Sequence, residues 1–527
     1  MDEEAYKRTK EAMGSPAFKR RQMITPPPVR AHGNAAVTLD WRWLVTILLA
    51  AAVPRLALAV EDQGIFWPDE IFQSLEQAHR VVFGYGFVPW EFQDGARSWL
   101  FPGAFATLWK VAGTLGVHSG MVLVLLAKLS MVAIALVGVY ATSRIAERLG
   151  GPTAGVLAGL MAATFPASLI FGHRCMTEMA SGSVLALAVW LWLEGERRRM
   201  FLAGLLTSLA IFLRYQNALV AIGLLLALLA SARRREAITF VAGGAVGLLG
   251  GEILDWITWG SPFHSLRAYL RYNLLQGRSA DYGVSSWSYY LETAWSSTGV
   301  SSLAIATGVI AAWSRARALV AVAIGFVAVH SLIAHKEYRF VMPVVPLLLA
   351  LSAVGLQTLL ARWKDAPPFA ADRWRRHAPP VVLGVAMSVL MVVKSVDATL
   401  ASTGQWSDQA EGAKSVWHHW EGANLALADV GRRGDLCGVL LAGLGAAWSG
   451  GFTYLHRDVP FLTLDDAVTP GDLLPFANYV ILSPDVEPPP GYVALQNVRG
   501  WSVGRREGGC VPPPPRLRRL FDDPQRP

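Results

Sequence analysis

The sequence predicts a polytopic α-helical membrane protein that carries a small α/β domain at its C-terminal end. Three observations lead there. Of 527 residues, 53% are hydrophobic and only 16% are charged, where a soluble chain would carry about a quarter charged. Apolar runs recur from Trp41 to Val396, and a run of about 20 such residues crosses the hydrocarbon layer of a bilayer. Beyond Val396 the apolar stretches become short and are bounded by turn residues, a strand pattern rather than a spanning one.

Residues 1–38 are polar, basic and proline-containing, which reads as a disordered cytoplasmic tail. The first apolar run starts too late for the core of a cleavable signal peptide. Eleven candidate spans follow, at 40–60, 119–142, 152–172, 179–194, 201–213, 217–231, 238–257, 299–313, 317–334, 340–361 and 379–396, within a range of about eleven to thirteen set by soft boundaries. Lys/Arg-rich connections stay on the cytoplasmic side. Seven basic residues lie in the N-terminal tail, and the turns Arg197–Arg199, Arg233–Arg235, Arg315 with Arg317, and Arg362 through Arg376 are basic too. With the N-terminus inside, all of these fall on one side. The other face then receives a first loop, 61–118, the connections His173–Glu178 and Arg214–Asn217, a second loop, 258–298, the connection His335–Arg339, and everything after Val396. The segment SWLFPGAFATLWKVAGTLGV, from Ser98, is apolar enough to span, but counting it would invert every later basic turn. It is therefore assigned to the interface or to a re-entrant path.

The membrane domain thus covers 39–397. Residues 398–515 form the α/β domain, with SDQAEGAKSVWHHWEGANLALADVG as a helix and LCGVLLAG, PFLTL and NYVILSP as strands, and 516–527 a Pro/Arg-rich tail. The net charge of +8 is accounted for by topology, and no basic face of a soluble domain points to nucleic acid. Of three cysteines, Cys437 and Cys510 share the C-terminal domain. They either pair, if that domain faces an oxidising compartment, or remain free thiols. No metal-spaced cluster is present.

The first loop carries nine charged residues between Glu61 and Arg97. At roughly 2.5–3.5 kcal/mol each in the bilayer centre they would cost more than ~20 kcal/mol, so the loop folds over the outer face. Pro68 followed by Asp69 and Glu70 reads as a helix start whose acids complement the dipole. The helix behind it places Asp69, Gln73, Glu76 and Arg80 on one face, with Phe72, Leu75 and His79 beside them. A polar face that begins with a carboxylate at the membrane surface suits a transferase, in which a carboxylate takes the proton of an attacking hydroxyl and cations stabilise a lipid phosphate that leaves. The outer face supplies Arg97, Arg174, Arg214, Lys336 and Arg339. Each alone also reads as a span-end anchor, but HKEYRF, from His335, sets five polar residues on the side where positive charge is disfavoured. Arg55 and Lys128 lie inside predicted spans, as functional groups or as partners within the bundle. Tyr272, Asn273 and Tyr282 in the second loop suit sugar stacking and hydrogen bonding, or an interfacial aromatic belt.

At these residues a resemblance enters. WPDEIFQSLEQAHRVVFGYGFVPWEF with ARSWLFPG, then DWITWGSPFHSLRAYLRYNLLQGRSADYGVSSWSYYL from Asp255, then HKEYRF, resemble in order the outer-loop motifs of family 22 of the GT-C glycosyltransferases, the dolichyl-phosphate-mannose-dependent α-mannosyltransferases of GPI-anchor and N-glycan assembly. The match runs over roughly 40–361, and the branch that adds the third GPI mannose is closest in look. Trp67 stands where the family has His, which bears on that histidine and not on Asp69. The resemblance implies a GT-C fold and inverting transfer of mannose from a polyprenyl- or dolichyl-phosphate donor to a hydroxyl of a glycan or glycolipid acceptor, with no cofactor and no metal. It implies Asp69 as general base with Glu70 second. His335, Lys336, Glu337, Arg339, Arg214 and Arg174 would hold the donor, and Gln73, Glu76, Arg97, Tyr272, Asn273 and Tyr282 the acceptor side. Heavy Ala, Gly, Arg and Pro usage suggests a prokaryotic source. That would place the chain in a bacterial cytoplasmic membrane with the active face outward, or in the endoplasmic reticulum if eukaryotic. Three other readings stay open. One is a GT-C enzyme for another lipid-linked sugar, one a transporter or flippase, which would show repeats and broken helices at the midplane, and one a non-catalytic scaffold.

Overall fold

The computed structural model describes residues 38–364, 373–404, 413–464, 473–484 and 486–512. The predicted tails, apart from Thr38, and the side chains of Arg362 through Arg376 lie outside that set. Asp40 caps α1 (Trp41–Glu61) by accepting the Arg42 N–H at 2.9 Å, the usual work of an N-cap carboxylate. The first outer loop then holds a wide helical turn, Ile71–Leu75, that runs into α2 (Glu76–Phe83), the single-turn α3 (Trp90–Gln93) and α4 (Leu100–Thr114). The bundle continues with α5 (Gly120–Gly150), α6 (Pro152–Thr164), α7 (Pro166–Phe171), α8 (Thr177–Glu194), α9 (Arg197–Leu213), α10 (Ala218–Ala230) and α11 (Arg234–Trp259). The second loop carries α12 (His264–Leu270) and α13 (Tyr289–Thr298), and α14 (Ser301–Ala311), α15 (Trp313–Leu332), α16 (Val345–Lys364) and α17 (Arg373–Val396) complete the membrane domain.

Among the described residues, six stretches are long and apolar enough to cross a membrane: α1, α5, α11, α15, Tyr338–Ala361 and Pro379–Val396. The other predicted spans fall on shorter or broken helices. Pro166 divides 152–172, because proline has no N–H for the carbonyl of Ala162. Arg55 meets that need: its Nη1 donates to Ala163 O at 3.0 Å and to Ala51 O at 2.8 Å, and its Nη2 lies 3.5 Å from Ala162 O. The buried arginine of α1 thus caps a broken helix C-terminus, where positive charge is favoured. Helices α9 and α11 touch backbone to backbone. A Cβ at Gly204 would stand 2.0 Å from Phe240 O, and one at Gly243 1.9 Å from Phe201 O, the small-residue contact of membrane helices.

The segment from Ser98 forms α4, fifteen residues and so about 22 Å long. Phe101, Phe105, Trp109 and Ala112 are buried on one face, while Val111 and Leu115 are exposed on the other. The four buried positions recur at helical spacing, so α4 is an amphipathic helix that packs on α2 and α5.

The C-terminal domain is a five-stranded sheet beside α18 (Glu421–Gly431) and α19 (Gly451–Leu455). Strand order is β2 (Phe461–Leu464), β1 (Val439–Ala442), β3 (Tyr479–Leu482), β5 (Trp501–Arg505) and β4 (Val493–Val498), parallel across β2-β1-β3 and antiparallel thereafter. The helix expected over 407–431 is seen only from Glu421, since His418 and Trp420 take left-handed conformations (φ 59° and 60°) that interrupt it; residues 407–412 lie outside the described set. Cys437 and Cys510 are joined by a disulfide, which settles that alternative.

The domain is anchored to the first outer loop. Phe72, Leu75 and Phe87 share one core with Leu427, Phe452 and Phe461. The carboxylate of Glu76 crosses the same boundary. It accepts the N–H of Phe87 at 2.9 Å, of Phe452 at 3.2 Å and of Thr453 at 2.9 Å, and the Thr453 hydroxyl at 2.7 Å. At the start of the loop, Ile65 N donates to His419 O at 2.8 Å, so close that a Cβ on Gly64 would stand 2.6 Å from that oxygen.

Candidate active site

The polar outer-face residues gather at one end of the bundle. The opposite end holds the pairs Arg148–Glu194, Arg199–Glu196 and Arg233–Glu236. At the first end, charged groups of the first loop meet those of three span connections, with tyrosines of the second loop beside them.

Two networks make it up. The first is closed and structural. Asp62, at the end of α1, accepts Arg174 Nη2 at 2.6 Å and faces His173 Nε2 at 3.1 Å. Arg174 Nη1 donates to Glu70 Oε2 at 3.0 Å and to Gly64 O at 3.0 Å. Glu70 also accepts the N–H groups of Phe66 (2.8 Å) and Trp67 (3.0 Å). Below it, Lys128 Nζ donates to Asp62 O at 2.5 Å and Gln63 Oε1 at 3.1 Å. Burial alone would raise the Asp62 carboxyl, but Arg174 and His173 hold it well below the usual carboxylate range. Burial pushes His173 down to about 4. These groups fix the turn that presents Asp69.

The second network is open to the surface at this end of the bundle. Asp69, about a fifth exposed, pairs with Nη1 of Arg339. Arg339 Nε donates to Glu337 Oε2 at 2.7 Å, and its Nη2 to Glu337 Oε1 at 3.1 Å. His335 Nε2 completes the chain to Glu337 at 3.1 Å. Burial alone would raise Glu337, yet Arg339 and His335 take it down to about 2. Arg339 lies 5.0 Å over the ring of Trp67, a cation–π contact. Glu178, in the first turn of α8, pairs with Arg214 and lies 3.5 Å from Arg339 Nε. Burial, then the charges of Arg97 and Arg339, lower Arg214 to about 9. Arg97 makes no ion pair among the described residues; with Gln73, Thr177 and Tyr215 it lines a small cavity, and its carbonyl is held by Trp259 Nε1 at 3.1 Å. From the second loop, the Tyr272 ring stacks on Trp90 at 3.9 Å and its hydroxyl meets that of Tyr282 at 3.1 Å.

The structure thus brings together Asp69, Arg339, Glu337, His335, Arg214 and Arg97, with Gln73, Tyr272 and Tyr282 beside them. It turns others elsewhere. Glu70 and Arg174 pair with each other inside the loop, apart from the Asp69–Arg339 network. Glu76 is fully hydrogen-bonded at the domain boundary and cannot hold an acceptor. Lys336 Nζ donates to Ser285 O at 2.8 Å, which ties the second loop to the bundle. Asn273 caps its own helical turn through Tyr269 O at 3.0 Å. Sequence reasoning gave no site role to Glu178, Asp62 or Glu91, although Glu91 stands in the first-loop motif that ends in PWEF. The signal for Glu178 was a carboxylate facing arginines from two other connections, which only topology reveals.

The architecture is that of the membrane glycosyltransferase fold. The apo crystal structure of ArnT from Cupriavidus metallidurans matches with a TM-score of 0.56 over 88% of this chain and 98% of that one at 14% identity. The same protein bound to undecaprenyl phosphate matches with 0.56 over 90% and 99% at 16% identity. At those identities the likeness establishes the fold alone. Within it the chain belongs to the Alg9-like mannosyltransferase family, whose model matches residues 43–402. Among curated relatives, GPI mannosyltransferase 3 of Yarrowia lipolytica is 31% identical over 310 residues, 58% of this chain and 60% of that protein. GPI alpha-1,2-mannosyltransferase 3 of Mus musculus is 27% identical over 354 residues, 66% and 64% respectively. The matched region spans about three fifths of the length of these relatives.

Proposed function

We propose that the protein transfers mannose from a polyprenyl- or dolichyl-phosphate donor to a hydroxyl of a glycan or glycolipid acceptor at the outer face of the membrane. The observation that carries the reading is the opposition of one partly exposed carboxylate, Asp69, to the arginines Arg339, Arg214 and Arg97 at the mouth of the bundle. In the step, the acceptor oxygen bonds to the anomeric carbon as the bond from that carbon to the phosphate oxygen breaks. The hydroxyl proton passes to Asp69, and the lipid monophosphate leaves against the arginines. Single displacement inverts the anomeric centre, so a β-linked donor gives an α-linked product. Arg97, which makes no ion pair among the described residues, is best placed to take phosphate, while Glu337 and Glu178 hold Arg339 and Arg214 in place.

Mannose takes its support from the family and from relatives named as GPI mannosyltransferases; a lipid phosphate is also what the ArnT structure with undecaprenyl phosphate holds in this fold. The test is purified protein in detergent with radiolabelled polyprenyl- and dolichyl-phosphate mannose, glucose and arabinose, and octyl α-mannoside as acceptor. Label from the mannose donors alone, in an α-linked disaccharide, is the expected result. Transfer from another sugar donor in its place overturns the mannose assignment, and no transfer from any donor overturns the reading as a whole.

A further inference from the structure

Glu91 sits on α3 of the first outer loop, where that loop meets Trp259 and Tyr272. Pro89 fixes the start of that turn, and the rings of Phe92, Trp99 and Trp259 pack around it. The Glu91 side chain is buried, and its two oxygens are treated unequally. Oε1 accepts Gln73 Nε2 at 2.6 Å. Oε2 has no hydrogen-bond partner among the described residues. A buried carboxyl oxygen in that state calls for a physical reason, the more so as Glu76, buried nearby on the same loop, has its carboxylate filled by four donors.

Its position supplies one. Gln73 follows Asp69 by one helical turn, so the carboxyl that Gln73 holds lies on the Asp69 side of the loop. Burial raises the Glu91 carboxyl, the Asp69 charge raises it further and Arg97 draws it back, leaving it at about 7. Tyr282 lies in the field of both Glu91 and Asp69. The neighbouring residue, Trp90, carries the Tyr272 ring stacked upon it. Gln73, which holds the other Glu91 oxygen, and Arg97, whose charge Glu91 feels, both line the small cavity of the site, and an unpartnered carboxyl oxygen beside them is an acceptor that a sugar hydroxyl can fill.

We propose that Glu91 is an acceptor-binding residue, whose free oxygen bonds a hydroxyl of the acceptor sugar so that a neighbouring hydroxyl lies against Asp69. The inference rests on the glycosyl-transfer reading above. It assigns no proton transfer to Glu91, only the hold on the acceptor.

The test is steady-state kinetics of the full chain with polyprenyl-phosphate mannose and octyl α-mannoside, for wild type, Glu91→Gln and Glu91→Ala. A hydrogen bond to a charged group corresponds to about 10–100-fold in affinity. Glu91→Ala should raise the KM for octyl α-mannoside by about that factor, with kcat within threefold and the donor KM unchanged. Glu91→Gln keeps the shape and one acceptor oxygen, so its KM should rise only about threefold to tenfold. The wild-type acceptor KM should vary between pH 6 and 8, and that variation should be absent in Glu91→Gln. An unchanged acceptor KM in both variants, or a loss confined to donor KM, overturns the assignment while leaving the transferase reading intact. Failure of both variants to fold would make Glu91 a structural residue and overturn it too. A wild type that transfers nothing would sink both.

Discussion

The most exposed consequence of the fold concerns Glu76. Its carboxylate accepts four hydrogen bonds, three from the C-terminal domain segment 452–453 and one from Phe87. Glu76→Gln keeps the shape but replaces one acceptor oxygen with an NH₂ that faces N–H donors. Oε1 serves Phe87 and Phe452, and Oε2 serves both groups of Thr453, so one of those pairs is lost. Burial raises the Glu76 carboxyl, but three N–H groups and a hydroxyl donate to it and hold the charged form; hydrogen bonds to such a group contribute about 1.5–3 kcal/mol each, and the orphaned donors carry their own desolvation cost. Loss of about 3–5 kcal/mol from the domain boundary is therefore expected. Since 1.4 kcal/mol is a factor of ten, the protection of the amides of Phe452 and Thr453 against hydrogen exchange should fall by about 10²-fold to several thousandfold. Amides of β1 and β3, in the centre of the sheet, should change far less. Equal protection at 452–453 in wild type and variant would refute the claim that Glu76 is the clamp between the outer loop and the C-terminal domain.

Three further outcomes follow from the closed network, the last of them also from His79, which lies buried against Tyr85 and His456. Arg174→Gln removes the cation that Asp62 and Glu70 share in a buried site and should cost about 3–5 kcal/mol, seen as a lowered thermal midpoint in detergent. Adding Asp62→Asn to that variant should recover part of the loss, and a double variant no better than the single would contradict the pairing. Acid should weaken the fold through its buried histidines. His79 is pushed down to about 3 and His173 to about 4, each chiefly by burial, against an ordinary value near 6.5. The unfolded chain therefore binds more protons below pH ~6.5, so their contribution is whole above that pH and falls as the pH drops towards 4, by up to about 3 kcal/mol each. Asp62, held low by Arg174 and His173, adds a further loss below its unfolded value near 4. A thermal midpoint that is flat or rises from pH 6.5 to pH 4.5 would contradict the burial of these two histidines.

Much of the fold was legible because a bilayer enforces it. Long apolar runs separated by basic turns are what a spanning bundle requires, and they locate the helices and put the polar motifs at one end. The breaks were less legible. That 152–172 is two helices follows from Pro166, yet the arginine that makes the break tolerable is more than a hundred residues away in α1. In the C-terminal domain, β1 to β3 declared themselves as short apolar runs buried on both faces. The hairpin β4–β5 did not. Val493–Val498 is almost wholly exposed and alternates weakly, and the clue was the two-residue turn Arg499-Gly500, both with positive φ. At the site, the spacing of Asp69, Gln73 and Glu76 correctly put three polar groups on one helix, but helical spacing is blind to what approaches from elsewhere. The C-terminal domain packs against Glu76, Arg174 fills Glu70, and Glu91 reaches Gln73. Periodicity selects a face; tertiary packing decides which of its residues remain available to a substrate.

The central claim is that Asp69, set against Arg339 and its neighbours, removes the proton of the attacking hydroxyl. The measurement that tests it most directly is the turnover number of Asp69→Asn in the radiolabelled mannose-transfer assay, with donor binding measured alongside. General-base catalysis contributes about 10²–10⁴-fold, so kcat should fall by that factor while the variant folds and still binds the lipid-phosphate donor. An Asn variant that transfers mannose at the wild-type rate would leave Asp69 without a role in the chemistry.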